Sequence, residues 1–334
     1  MQDQDPRVQA IHKWLENELD MSIESLTPAS SDASFRRYFR VIQQQQTYVV
    51  MDAPPEKEDI KPFIKVASLF ALAKINIPTI FHSNLQQGFL LLEDFGNQSY
   101  LDLLDTSNVE SLYHSALNSL FKLQTEINPA QCNLPIYDHD LLNKELDIFK
   151  EWFLTRKLNL ALNHQHESIL DKAWAALIQS ALEQPNVCVH RDYHSRNLMV
   201  TKTNNPGIID FQDAVIGPIS YDLVSLLRDC YITWPELQVT QWQSDYFQRL
   251  CSVGLVRCDI ETFQRWFDLM GMQRHLKAIG IFSRLQLRDN KPDYLQDIPR
   301  TMDYLTLVSS RYPELAEFND FLHTKILPAW RLTI

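Results

Sequence analysis

The stretch VCVHRDYHSRNLMV, residues 187–200, decides how this chain is read. An apolar run from Val187 to Val189 delivers a polar loop, and Leu198 to Val200 carries the chain away, so both flanks are anchored while Asp192 and Asn197 project into a cleft. A few residues on, GIIDFQDA sets Asp210 at the end of another short apolar run, Gly207 to Ile209, after the turn Lys202 to Pro206. A carboxylate and an amide oxygen suit a hard cation such as Mg²⁺ that carries phosphate, and they do not suit a soft or redox-active metal. Asn197 and Asp210 fit that ligand role. Asp192 fits a base that orients an acceptor hydroxyl and takes its proton. A buried polar turn whose side chains satisfy backbone groups is the structural alternative, but it leaves the joint spacing unexplained.

The neighbours of these residues read less sharply. His190 closes an apolar strand and suits a structural brace for the loop. His194 either faces the acceptor or caps the loop, and Arg191 and Arg196 suit phosphate attraction or ordinary salt bridges.

Composition bounds the rest. The chain has 334 residues, 45% of them hydrophobic, enough for one large core or two modest ones. Seven glycines leave little for a glycine-rich nucleotide fingerprint, whereas 17 Phe, 12 Tyr and 7 Trp predict an aromatic, mostly helical core. A formal charge of -11 opposes nucleic acid and anionic membranes as partners. The opening MQDQDPRVQA lacks a secretory pattern, and no apolar run of roughly eighteen residues is present, so a cytoplasmic location is expected. The 5 cysteines contain no CxxC pair and suggest neither zinc nor a disulfide framework.

Along the chain, residues 6–19 repeat apolar positions at helical spacing, and strands are expected over 35–41 and 47–51 around a turn at Gln43 to Gln46. A helix is expected over 60–74, then a hairpin from 80–83 and 88–92. Helices dominate from Tyr100 onward, interrupted by the hairpin of 198–200 and 207–209. Because His190-Arg191-Asp192 followed by Asn197 has the spacing of a kinase catalytic loop, the expectation is an α+β, two-lobed, protein-kinase-like fold: a small mixed nucleotide lobe at 1–95 and a larger, mainly helical catalytic lobe at 96–334. The loop Ser30 to Ser34 and the following FRRYFR would cover nucleotide phosphates through Ser31, Ser34, Arg36 and Arg40. Glu93 and Asp94 stand where a hinge would meet adenine.

His-Arg-Asp followed by Asn at this spacing is the pattern of a kinase catalytic loop. Over nearly the whole chain, through SDASFRRYFRV, YVVMDAPPEKED, LLLEDFG, HRDYHSRNLMV and GIIDFQDAVIGPISYDL, the sequence resembles the aminoglycoside phosphotransferase and choline kinase superfamily. More narrowly it resembles the bacterial anomeric kinases of N-acetylmuramate and N-acetylglucosamine used in cell-wall recycling. The resemblance implies ATP and Mg²⁺ as cofactors, C1 of a free amino sugar as acceptor, and a sugar 1-phosphate passed to a uridylyltransferase. It puts the catalytic aspartate on Asp192, the metal ligands on Asn197 and Asp210, and structural support on Asp222, with Asp213 in the sugar site or behind it. Met51 stands where a phosphate-pairing lysine is usual, leaving Lys57, Arg36 or Arg40 to compensate. Asp-Phe-Gln at 210–212 replaces Asp-Phe-Gly, and no activation segment ending in Ala-Pro-Glu is present, which makes protein substrates improbable. Kinases of aminoglycosides, choline or another alcohol are the close alternative, and a non-catalytic nucleotide-binding module is the distant one.

Overall fold

The computed structural model describes residues 5–31 and 35–333. The chain forms two compact units: one takes it up to Leu103 and includes Leu198–Asp213, the other holds Leu104–Asn197 and everything from Ala214 on.

The first unit opens with α1 (Pro6–Lys13), begun by Asp5, whose carboxylate accepts the N–H of Arg7, and by a proline whose missing N–H is harmless at the first turn. Next come β1 (Ser25–Ser31), β2 (Arg37–Gln43), β3 (Gln46–Asp52), α2 (Lys61–Leu72), β4 (Ile80–Asn84) and β5 (Phe89–Glu93). The strands make one antiparallel sheet in the order β1-β2-β3-β5-β4. Period-two alternation turns Phe39, Val41, Val50, Phe89 and Leu91 toward Val8, Ile11, Trp14 and Leu15. The β2–β3 turn puts Gln44 and Gln45 at φ 47° and 68°, the mirror-image turn that matches strand twist. Sequence reading gave no strand at β1, because SLTPASS reads as loop. It is an edge strand, where Pro28 is tolerated, and its register shifts between Pro28 and Ser30. A short helix α3 (Tyr100–Leu103) follows.

The second unit begins with α4 (Val109–Glu126), α5 (His139–Ile148), α6 (His164–Leu182) and strand β6 (Asn186–Val189). The hairpin β7 (Leu198–Met199) and β8 (Gly207–Ile208) then belongs to the first unit, held there by Val200 N–H on Gln98 O at 2.9 Å and a bridge between Ser99 and Met199. Sequence reading had put it inside the helical lobe. Strand β9 (Val215–Pro218) pairs with β6 in the second unit. Helices α7 (Tyr221–Leu227), α8 (Glu236–Ser252), α9 (Ile260–Asp289), α10 (Ile298–Ser309), α11 (Ala316–Phe321) and α12 (Leu327–Arg331) complete it. The long α9 is buried on all sides along its middle, as expected of a helix with neighbours all round. No helix among the described residues is long and apolar enough to cross a membrane.

Candidate active site

The sequence-predicted site residues divide between the units. His190, Asp192, His194, Asn197 and Asp222 lie in the second, while Ser31, Arg36, Arg40, Glu93, Asp94, Asp210 and Asp213 lie in the first. Ser34 falls outside the described residues.

In the second unit β6 ends at the catalytic loop, and buried carboxylates pin the loop backbone. Asp222, in the first turn of α7 and fully buried, accepts the N–H of His190 at 2.6 Å and of Arg191 at 3.0 Å. Arg191 sits at φ 77°, a conformation non-glycine residues hold only when their surroundings enforce it, and its guanidinium pairs with Glu145. His190, also fully buried, accepts the N–H of Asp192 on Nδ1 at 3.2 Å. Further along, Asp229 accepts both the N–H and the hydroxyl of Ser195, at 2.9 and 2.6 Å. The Asn197 amide nitrogen donates to the Asp192 carbonyl at 3.0 Å, which makes its oxygen the atom that side chain offers a cation.

Charge around the loop favours a carboxylate at Asp192. Burial alone would raise its pKa, but Lys277, His194, Arg191 and Arg274 together outweigh that and hold it below the ordinary aspartate value. Asp222 behaves otherwise: burial pushes it up to about 7 despite its N–H donors. His194 packs edge-on against Tyr231 at 5.2 Å, burial holds it below the usual imidazole value, and its Nδ1 has no hydrogen-bond partner among the described residues.

In the first unit Asp210 follows β8 at φ 64°. Phe211 anchors it against Phe63 and Phe70 of α2, with ring centroids 4.7 and 5.6 Å apart. The Gln212 amide donates to Asp210 Oδ1 at 2.8 Å and more weakly to Asp213 at 3.4 Å, so the glutamine in place of the usual glycine ties two carboxylates together. Arg36, largely buried, comes within 4.0 Å of Asp210. Arg40 donates two parallel hydrogen bonds to Asp94, Nε to Oδ2 at 2.6 Å and an Nη to Oδ1 at 2.9 Å, and also reaches Asn97 and the Gly96 carbonyl. Glu93 accepts the N–H and hydroxyl of Thr79. Ser31 ends β1 opposite Arg37. Met51 is fully buried within the sheet, opposite Tyr38 and Leu90, and Lys57 lies over the Phe35 ring at 4.9 Å. Asp210 in the first unit carries a carboxylate and Asn197 in the second an amide oxygen, each a donor type that magnesium takes.

Sequence reading missed the cations of α9. Lys277 pairs with Glu145 at 3.0 Å and donates to the Tyr221 hydroxyl at 3.1 Å, and Arg274 lies one turn before it. The available signal was charge at i and i+3 inside a helical stretch, 269–282, whose other residues are mostly apolar, which a search for loops and motifs passes over.

A small unit built on a five-stranded sheet, a larger helical one, and this loop at the end of β6 define the protein-kinase-like phosphotransferases. The chain belongs to the phosphotransferase enzyme family, whose profile matches residues 25–259. It is 43% identical to a Pseudomonas putida protein named N-acetylmuramate/N-acetylglucosamine kinase, with 96% of this chain and 97% of the relative covered. A protein of the same name from Pseudomonas aeruginosa is 44% identical, covering 95% and 96% of the two chains. Among solved structures, a choline kinase from Streptococcus pneumoniae superposes with a TM-score of 0.62 at 11% identity, over 90% of this chain and 99% of that one. The GDP complex of aminoglycoside 2'-phosphotransferase-IIIa gives 0.62 at 15% identity, over 91% and 98%. At these identities the two structures speak for the fold alone.

Proposed function

We propose that this protein is an ATP-dependent kinase that phosphorylates the anomeric hydroxyl of N-acetylmuramate, N-acetylglucosamine or both, giving the sugar 1-phosphate. Similarity to two relatives of that name, at 43% and 44% identity over nearly the full length of each, carries the reading. In it Asp192 orients the acceptor hydroxyl and takes its proton, while Asn197 and Asp210 are the ligands of magnesium, which supplies charge neutralisation on the phosphates when bound. Asp222 and His190 brace the loop, Gln212 steadies Asp210, and Asp213 and His194 serve the sugar side. The nucleotide falls to the first unit, residues 1–95 in the main. There Ser31, Ser34 and Arg36 meet phosphate, and Glu93 and Asp94 meet adenine through backbone groups.

With Met51 buried and Arg40 committed to Asp94, Arg36 is the stronger substitute for the usual lysine. An anomeric hydroxyl is more acidic than an ordinary sugar alcohol, and so suits a carboxylate base. We place the enzyme in the cytoplasm, as the supplier of a 1-phosphate to a uridylyltransferase in peptidoglycan recycling.

The test is purified protein with ATP and magnesium against both free sugars and their methyl glycosides, with products assigned by ³¹P NMR. Phosphorus coupled to the anomeric proton, and no product from the glycosides, is the expected result. Phosphorylation at O6 would sink the anomeric assignment and leave the kinase standing.

A further inference from the structure

Arg274, on α9, is 6% exposed, and its hydrogen bond runs from Nη1 to the Cys230 sulfur at 3.5 Å. Thiol sulfur is a weak acceptor, and among the described residues no carboxylate lies at ion-pair distance from this guanidinium. Other buried cations of the same unit are matched directly. Arg228 binds Asp268 at 2.6 Å and Glu236 at 2.8 Å, and both Lys277 and Arg191 bind Glu145. The charges of Asp192 and Asp229 act on Arg274 through space, but neither makes a direct bond to it, so the guanidinium keeps hydrogen-bonding capacity close to the catalytic carboxylate for a ligand that brings an anion.

Its location says which ligand. Cys230 lies between Asp229, which holds the Ser195 backbone and hydroxyl, and Tyr231, against which His194 packs at 5.2 Å and Arg196 at 3.7 Å. Arg274 therefore meets the segment that supports the second half of the catalytic loop, and its charge reaches Asp192. Asp229, one of the carboxylates whose charge acts on Arg274, spends its oxygens on Ser195 and on the Tyr231 N–H at 2.9 Å. A second unmet group is close by: the buried Nδ1 of His194.

We propose that Arg274 binds the carboxylate of an acidic amino-sugar acceptor and thereby sets the preference for N-acetylmuramate over N-acetylglucosamine. The assignment rests on the amino-sugar reading above. N-acetylmuramate differs from N-acetylglucosamine by a lactyl ether on O3, and O3 lies across C2 from the anomeric carbon. In this proposal an acceptor with C1 at Asp192 carries its carboxylate toward Arg274, whose charge already acts on Asp192. A guanidinium meets a carboxylate through charge-assisted bonds, and the neutral sugar forgoes them.

The experiment compares kcat/KM of the wild-type protein, Arg274→Gln and Arg274→Lys on N-acetylmuramate, its lactyl carboxamide and N-acetylglucosamine. A charge-assisted bond implies that the wild type favours the acid over the carboxamide by about 10- to 100-fold. Arg274→Gln should lower the ratio of N-acetylmuramate to N-acetylglucosamine turnover by a similar factor and erase the acid-over-amide preference, and Arg274→Lys should restore part of it. Equal losses on both sugars, or a preference for the acid that survives Arg274→Gln, would overturn the assignment in favour of a structural counter-charge. Should Arg274→Gln not fold, the wild type still decides, because indifference between acid and carboxamide overturns the proposal without any variant. Wild-type turnover of neither sugar would instead defeat the amino-sugar reading, and this assignment with it.

Discussion

Asp192 and Asp222 carry the same functional group in one unit and are put to different use, which gives each Asp→Asn exchange its own signature. Asp192 keeps part of its surface open, and its neighbours favour the charged form, so Asn there removes the proton acceptor while leaving shape and packing almost unchanged. Asp192→Asn should lower kcat by about 10²- to 10⁴-fold, the usual worth of a positioned base, with ATP affinity by calorimetry and the melting temperature near wild type. Asp222 is fully buried and uses both oxygens as acceptors, one for the backbone N–H of His190 and one for that of Arg191. An asparagine offers one oxygen, and its NH₂ would face an N–H donor. Asp222→Asn should therefore destabilise the protein by about 1–3 kcal/mol in urea titration, the cost of an unsatisfied buried donor, and lose activity along with the loop's order. A stable, inactive Asp222→Asn protein would point instead to a direct part in the chemistry.

At the scale of elements, helix α9 is the one on which the second unit is built, and its glycines show how closely its neighbours approach. A Cβ on Gly280 would meet the backbone of Ile148 and Phe149 at 2.7 Å, where no flexible side chain can yield. Helix propensity alone favours alanine over glycine by about 1 kcal/mol, but a backbone clash forces α9 away from the end of α5 and costs more. Gly280→Ala should thus be net destabilising by about 1–3 kcal/mol, seen as a lower urea midpoint with an unchanged slope; a more stable variant would show that the two segments part easily. Such contacts are also where sequence reading stops. The loop from 187 to 200 was legible because its chemistry demands particular residue types at particular spacings, and β2, β3, β4 and β5 were legible through apolar runs between turn residues. Strand β1 was not, since an edge strand tolerates the proline and serines that mark a loop. Strand β9 was not, since its pairing with β6 is long-range. The burial of Arg274 and Lys277 was hidden because one helix wheel does not reveal that neighbours close around all of it.

For the molecule as a whole, global stability integrates every buried titratable group, and His275 is among those whose effect on pH dependence can be isolated. It is almost fully buried on α9, stacked on Tyr304 with ring centroids 4.7 Å apart, and its Nε2 meets the Arg228 carbonyl at 2.8 Å. Burial, helped by the positive charges of Arg274 and Arg228, lowers its pKa from 6.5 to about 3, against the pull of that carbonyl. The folded protein therefore keeps this imidazole neutral while the unfolded chain takes up a proton below about 6.5. Between those two values the unfolded state binds more protons, so this group makes stability fall as pH falls, with a slope approaching about 1.4 kcal/mol per pH unit. Asp222, raised to about 7, acts in the opposite sense over part of the same range, because its folded form holds a proton that the unfolded form has lost. The total profile mixes the two, and a comparison between variants separates them. Phenylalanine at 275 keeps the stack on Tyr304 and loses the hydrogen bond to Arg228, so His275→Phe should be the less stable protein at about pH 7 by about 1 kcal/mol. It should then lose less on going to about pH 5, narrowing or reversing the gap, as read from urea midpoints at the two pH values. Parallel profiles for the two proteins would mean that the imidazole takes up its proton in the folded state as readily as in the unfolded one, and that the packing around Tyr304 opens to admit the charge.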